Sequence, residues 1–193
     1  MAVDIDFQKK VNIINFFAKN SPKKTIGKID LLKAVFFADR YHLLKYCRTV
    51  SDDTYYAMKH GPVASAIKNI CNLERLSKDE IEYAEKFLLF GKNTIHSRPE
   101  SVYDASLFSE SDLEALNESL LLLRSLKKQG IKPADYSHRF FDWDNKYAPF
   151  LPLKEDNRVN IDLDEFFNIT DDDYCSKIDP ELRNLNREMI QVC

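Results

Sequence analysis

Glycine is scarce in this sequence, at four in 193 residues. A P-loop needs a glycine-rich turn closing on Gly-Lys-Ser or Gly-Lys-Thr, so that backbone amides can wrap a phosphate. Gly91-Lys92-Asn93 has neither the first glycine nor the hydroxyl. The same scarcity argues against a G-x-G-x-x-G turn, which lets a backbone approach a pyrophosphate closely. Cysteine is also sparse: Cys47, Cys71, Cys175 and Cys193 contain no C-x-x-C pair. That pattern fits reduced thiols better than a disulfide framework. His42, Cys47, His60 and Cys71 lack paired zinc-ligand spacing, and no motif supports a cysteine nucleophile served by His60 or His138. The sequence therefore carries no expected metal, cofactor or catalytic residue, and a non-enzymatic protein is the expectation.

No stretch approaches the roughly 20 apolar residues of a membrane-spanning helix, and the N-terminus has no apolar signal core. A cytoplasmic protein without a membrane partner is expected. Charge of one sign is not in excess either, with a net charge of −3 and a pI near 5.8. Its distribution is uneven. Residues 1–48 carry ten basic and four acidic side chains, whereas residues 150–193 carry five and eleven. Such runs are either solvated faces or, more specifically, an acidic segment that meets the basic N-terminal region or a basic partner.

What is present describes a globular protein: 44% hydrophobic and 31% charged residues, in a chain long enough to bury a real core. Phe7, Val11, Ile14 and Phe17 are spaced for an amphipathic helix that Asn20-Ser21-Pro22 ends. From Ile29 to Leu44, Leu32, Val35, Phe36 and Leu43 form an apolar stripe, interrupted by Asp39, Arg40 and His42. Asp30 suits the start of that helix electrostatically. After a polar turn over Arg48–Asp53, Thr54–Met58 is strand-like. His60-Gly61-Pro62 then stops the strand, with Pro62 as the first residue of a helix running from Val63 to about Leu73.

Ser77-Lys78-Asp79-Glu80 has the pattern of a capping box and opens a short helix through Tyr83. Phe87–Phe90, a Gly91-Lys92-Asn93 turn and Thr94–Ser97 read as a hairpin, to be joined by the Thr54 strand in one small antiparallel sheet. Polar capping residues at Ser109–Asp112 precede a helix to about Lys128, before Gly130, and Pro133 starts another segment. The aromatic cluster from Tyr136 to Trp143 is expected to dock on the core. Beyond Pro149, Asp164–Phe167 and Leu182–Ile190 suit short helices. The predicted fold is α+β and predominantly α-helical: a single compact domain over residues 1–150 with a small antiparallel sheet, and an acidic extension over residues 151–193, partner-binding or partly disordered.

The block F-F-A-D-R-Y-H-L-L-K-Y, the polar turn and D-D-T-Y-Y-A-M-K-H-G-P-V-A-S, followed by S-E-S-D-L-E-A-L-N-E at Ser109 and S-H-R-F-F-D-W at Ser137, resembles the SocA-like antitoxins that carry a Panacea domain. The likeness spans about Phe7 to Tyr147. Ala64 and Cys47 stand where that pattern leads one to expect a proline and a glycine. The resemblance implies a non-catalytic antitoxin of a type II system that binds and occludes a cognate toxin protein, with a protease or operator DNA as further partners.

Candidate partner-binding residues are Asp39, Arg40, His42, Lys59 and His60 in the central block, with Phe166, Phe167 and Leu185 as apolar anchors in the acidic segment. For Asp39 and Arg40 the equal alternative is an internal network with Tyr55 or Lys59, since a half-buried charge must find partners to offset desolvation. Tyr41, Tyr55, Gly61, Pro62, Phe36 and Trp143 are expected to be structural. A different class of function, a winged-helix-like DNA-binding regulator or a proteolytic adapter, is left open by the short helices, the hairpin and the basic first quarter. The acidic pI and the want of an Arg/Lys recognition stripe weigh against DNA.

Overall fold

A computed structural model describes residues 3–58, 60–140, 159–170 and 172–192. The chain begins with α1 (Ile5–Lys19), β1 (Thr25–Gly27) and the long α2 (Lys28–Tyr46), followed by β2 (Tyr55–Met58), β3 (Gly61–Ala64) and α3 (Ser65–Asn72). Next come α4 (Lys78–Phe87), the hairpin β4 (Leu88–Phe90) and β5 (Thr94–Ser97), α5 (Glu110–Lys128) and α6 (Pro133–Ser137). A short β6 (Val159–Asn160), a 3₁₀ turn (Leu163–Phe167) and α7 (Pro180–Val192) complete it. The fold is α+β and predominantly helical, as the sequence predicts.

Helix α2 is the axis. It packs against α1, α5, α6, α7 and β3, so it is buried on nearly every side and its apolar residues are not confined to one stripe. Val35, Phe36 and Leu43 are in the core as expected, and Leu32 is half-buried. Phe36 sits at the centre of an aromatic cluster, with ring centroids 5.4 Å from Phe37, 6.0 Å from Tyr55 and 5.2 Å from Phe166. At its C-terminal end α2 is capped by Cys47, whose φ of 59° is the left-handed conformation usually given to glycine. A cysteine therefore adopts, at the position where the family pattern leads to a glycine, the geometry a glycine would supply.

The sheets differ from expectation. Among the described residues, two three-stranded antiparallel sheets form, ordered β1-β5-β4 and β3-β2-β6. The hairpin pairs with β1 in the register Ile26↔Ile95 rather than with the Thr54 strand. Pro62 is not a first helical residue but lies inside β3, opposite Ala57. Edge position explains this, because a proline at the rim of a sheet lacks an N–H that no neighbouring strand requires. The following helix accordingly starts at Ser65 instead of Val63. Both capping boxes are present, at Ser77/Glu80 and Ser109/Asp112, although α4 continues past Tyr83 to Phe87.

The described C-terminal residues are not a loose appendage. Phe166, Phe167, Cys175 and Ile178 join the main core, and the expected short helices at Asp164–Phe167 and Leu182–Ile190 fall within the 3₁₀ turn and α7. Trp143 and Lys59 lie outside the described residues.

Candidate functional site

The middle of α2 concentrates polar groups in the interior. Asp39 is fully buried, and four donors converge on its carboxylate: Val50 N at 2.8 Å, Ser51 N at 2.9 Å, the Tyr55 hydroxyl at 2.6 Å and the Ser51 hydroxyl. These bonds fasten the polar turn and β2 to the helix. Burial pushes the carboxyl up to about 6, against the opposing pull of Ser51 and Tyr55. The internal network thus holds Asp39, with Tyr55 as one partner and Ser51 as a second that nothing in its local pattern singles out.

Arg40 faces another way. Its guanidinium makes a two-pronged bond to Asp173, at 2.8 Å and 2.5 Å, and donates to the carbonyls of Phe166 at 2.8 Å and Asn168 at 2.6 Å. Both side chains of the pair are 0% exposed, and the guanidinium carbon lies 4.0 Å from the Phe140 ring centroid. A bidentate fork combines charge with fixed geometry. Here it anchors the C-terminal segment to α2 across a separation of 133 residues. Tyr174 adds a hydrogen bond to the Phe37 carbonyl at 2.7 Å.

His42 is also closed off. Its Nδ1 lies 2.6 Å from the Arg48 carbonyl, which can only accept, so Nδ1 carries the proton. Nε2 then accepts from Ser111 at 3.0 Å, and burial lowers the imidazole pKa. Next to it, Asp112 binds Lys9 and Arg48, each at 3.0 Å, and closes the cap of α5. Tyr41 donates to Glu114 at 2.7 Å, and Lys45 joins the same carboxylate at 2.6 Å. Burial works to raise the Glu114 carboxyl, but Lys45, Tyr46 and Tyr41 outweigh it and hold the group down to about 2.

The His60-Gly61-Pro62 corner reveals a buried group that the sequence did not mark. Lys33 is 1% exposed, and its ammonium donates to the Pro62 carbonyl at 2.6 Å. Burial lowers its pKa to about 7. Gly61 has φ of +93°, and a Cβ there would stand 2.6 Å from Ser137 Oγ and 2.9 Å from Lys33 Nζ. Both backbone conformation and close approach therefore require glycine. Asp53, likewise unmarked, accepts from Ala66 N and Ile67 N, each at 2.9 Å, and so secures the first turn of α3.

Reading Asp39, Arg40 and His42 as surface contacts is corrected by this geometry: all three are fully buried and bonded within the chain. Phe166 and Phe167 are core residues for the same reason that Phe36 is, their rings being enclosed on every side. His60 is exposed. Leu185 is 54% exposed and does not stand alone, because Met189 is 50% and Val192 88% exposed. Their i, i+4, i+7 spacing places them in one row on α7, and that spacing was visible in the sequence. A second row on the same helix, Leu182, Asn186 and Ile190, turns toward the core. Asn186 holds the Leu44 carbonyl at 3.0 Å and thereby finishes the C-terminal end of α2.

Cys71 and Cys175 are buried, and burial raises each thiol to about 12. Neither is poised as a nucleophile. Among the described residues, no three His, Cys, Asp or Glu side chains are grouped to hold a metal ion, and no helix is long and apolar enough to cross a membrane.

No curated protein and no solved structure matches the chain. A family model described as antitoxin SocA-like, Panacea domain, matches residues 31–144, from the first turn of α2 through the His60-Gly61-Pro62 corner, α5 and α6. The match covers more than half of the sequence and the whole polar centre of α2, and the chain belongs to the SocA-like antitoxin family with a Panacea domain.

Proposed function

We propose that this protein is the antitoxin of a type II toxin–antitoxin system, and that it neutralises a cognate toxin in the cytoplasm by direct binding. Family membership supplies the class of activity. The single observation that carries the binding reading is the row Leu185, Met189 and Val192 on α7, open to solvent beside a row already packed on the core. The apolar surface of this helix is wider than the area the described residues cover. A helix face of that kind recognises a partner by fitting a groove with residues one helical turn apart. The polar centre of α2, engaged in internal bonds, serves as the platform that holds α7 in place.

The row lies outside the matched residues 31–144, so a binding face there can vary without disturbing the platform, and specificity between partners needs such distinctive contacts. Co-expression with the product of the adjacent reading frame tests the proposal. That product should arrest growth alone, lose its effect beside this chain, and co-purify with it in a fixed ratio. A neighbour that is harmless alone, or fully toxic beside the folded protein, would overturn the reading. Salt-dependent binding to promoter DNA with no such complex would support a regulator instead.

A further inference from the structure

At the opposite end of α2 from α7 lies an open groove of about 1000 Å³, walled by the turn after α1, by β1 and β5, and by the last turns of α5. Asp30 lines it, whereas the α7 contact is at Leu44. Fourteen residues of helix separate those positions, or roughly 21 Å at the rise of an α-helix. The groove is thus distinct from the surface proposed above.

Its floor is apolar: Ile26 and Leu120 are buried, and Leu123 and Ile131 are half-buried. Its rim is basic: Lys23, Arg124, Lys127 and Lys132 are all exposed. Asp30 is the one carboxylate among the described lining residues. Lys23 and its neighbour Lys24 both have positive φ, 55° and 51°, a conformation that costs an L-residue energy and persists where surrounding structure imposes it. The β1 side is held firmly, since His96 engages Thr25 Oγ1 at 2.8 Å through Nδ1 and Thr94 Oγ1 at 3.0 Å through Nε2.

We infer that this groove binds an acidic amphipathic helix of a partner protein, its apolar row on Ile26, Leu120, Leu123 and Ile131 and its carboxylates on the rim cations. The size falls within the range of built binding clefts, and the four cations around an apolar floor complement a helix that alternates aliphatic and acidic faces. Nucleic acid suits the groove poorly. Binding of a single strand relies on aromatic platforms for the bases, and no Phe, Tyr or Trp is among the described lining residues. Asp30 would also face the phosphates.

The test uses the full chain and a fluorescein-labelled helical peptide with leucines at i, i+3, i+4 and i+7 and glutamates between them. Three controls accompany it: the same peptide with lysines for glutamates, a polyglutamate of equal length, and a single-stranded DNA. The acidic amphipathic peptide should bind at least tenfold more tightly than each control and weaken as salt rises. K127E/K132E, which changes two exposed side chains, should lower its affinity at least tenfold while leaving the melting temperature unchanged. L123D should also lower the affinity at least tenfold in the folded protein, and L185S/M189S on α7 should have no effect on this peptide. Equal binding of polyglutamate or DNA would overturn the proposal, as would no binding of the acidic peptide, unchanged affinity in a folded K127E/K132E protein, or loss of binding in L185S/M189S alone. Neutralisation of a toxin is not the readout, so failure here leaves the antitoxin reading to its own experiment.

Discussion

The centre of α2 and the outer row of α7 are opposites. The first is polar and closed: Asp39, Arg40 and His42 are fully buried with their hydrogen bonds completed inside the chain. The second is apolar and open, with Leu185, Met189 and Val192 each at least half exposed. In a sequence the polar trio attracts functional interpretation, and of the aliphatic row only Leu185 stands out as a candidate anchor. The structure encloses the first and leaves the second in solvent. A buried charge is expensive unless paired, so a charged trio in a central helix signals a framework of obligatory partners. An aliphatic row left in water is the feature that calls for an external partner.

The contrast breaks most severely if the buried framework is cut. In D173N the two-pronged bond to Arg40 is replaced by a neutral amide, leaving a guanidinium uncompensated in a fully enclosed site. Removing one partner of such a pair costs about 3–5 kcal/mol, readable as a lower urea midpoint with an unchanged slope. R40M/D173L should recover part of that loss, because an apolar pair has no charge to desolvate, although the Phe166 and Asn168 carbonyls and the Cys175 N–H then lose their partners. A single variant as stable as the wild type would show that the pair is not an anchor, and that the C-terminal segment is held by aromatic packing alone.

Lys33 sharpens the comparison with a signed pH dependence. Its folded-state pKa is about 7, below the ordinary value of 10.5. Between those values the unfolded chain binds more protons than the folded one, so stability rises with pH. Below pH 7 the cost of burying the charge is borne in full, and it disappears as pH approaches 10.5. The change across that window is on the order of 5 kcal/mol. K33M should flatten the slope between pH 7 and 10, while losing the hydrogen bond to the Pro62 carbonyl at every pH. An identical slope in wild type and variant would assign it to other groups.

Local signals in the sequence were reliable where the cause was local. The capping boxes at Ser77 and Ser109, the turn at Gly91 and the helical spacing of Phe7, Val11, Ile14 and Phe17 all depend on residues a few positions apart, and each element formed. Distance in sequence defeated the rest. Nothing near Arg40 points to Asp173, and β1 is only three residues long, too short to announce itself as the hairpin's partner. Pro62 suggests a helix start because the edge position that admits it to a strand is a property of the sheet. The apolar stripe of α2 is narrower than its buried surface, since a helix enclosed on nearly every side has no polar face to contrast with an apolar one.

The outer row of α7 should give the smallest change in stability. L185S/M189S replaces two half-exposed side chains that have no described partner contact in the core, and surface changes of this kind usually stay within about 0.5 kcal/mol. The inward row of Leu182, Asn186 and Ile190 is retained, so α7 keeps its hold on the Leu44 carbonyl. Binding should respond quite differently. Two aliphatic anchors that pass from water into a partner's groove contribute together about 2–4 kcal/mol, which corresponds to a loss on the order of 100-fold in toxin affinity. N186A provides the matching control: it leaves the outer row intact but removes the bond to Leu44, and should lower stability by about 1–2 kcal/mol while the folded fraction still binds. If L185S/M189S melts like the wild type and loses the toxin while N186A melts early and retains it, the closed and open surfaces have separate roles. If L185S/M189S unfolds or binds normally, the outer row is part of the core framework or irrelevant to the toxin, and the division between the two regions fails.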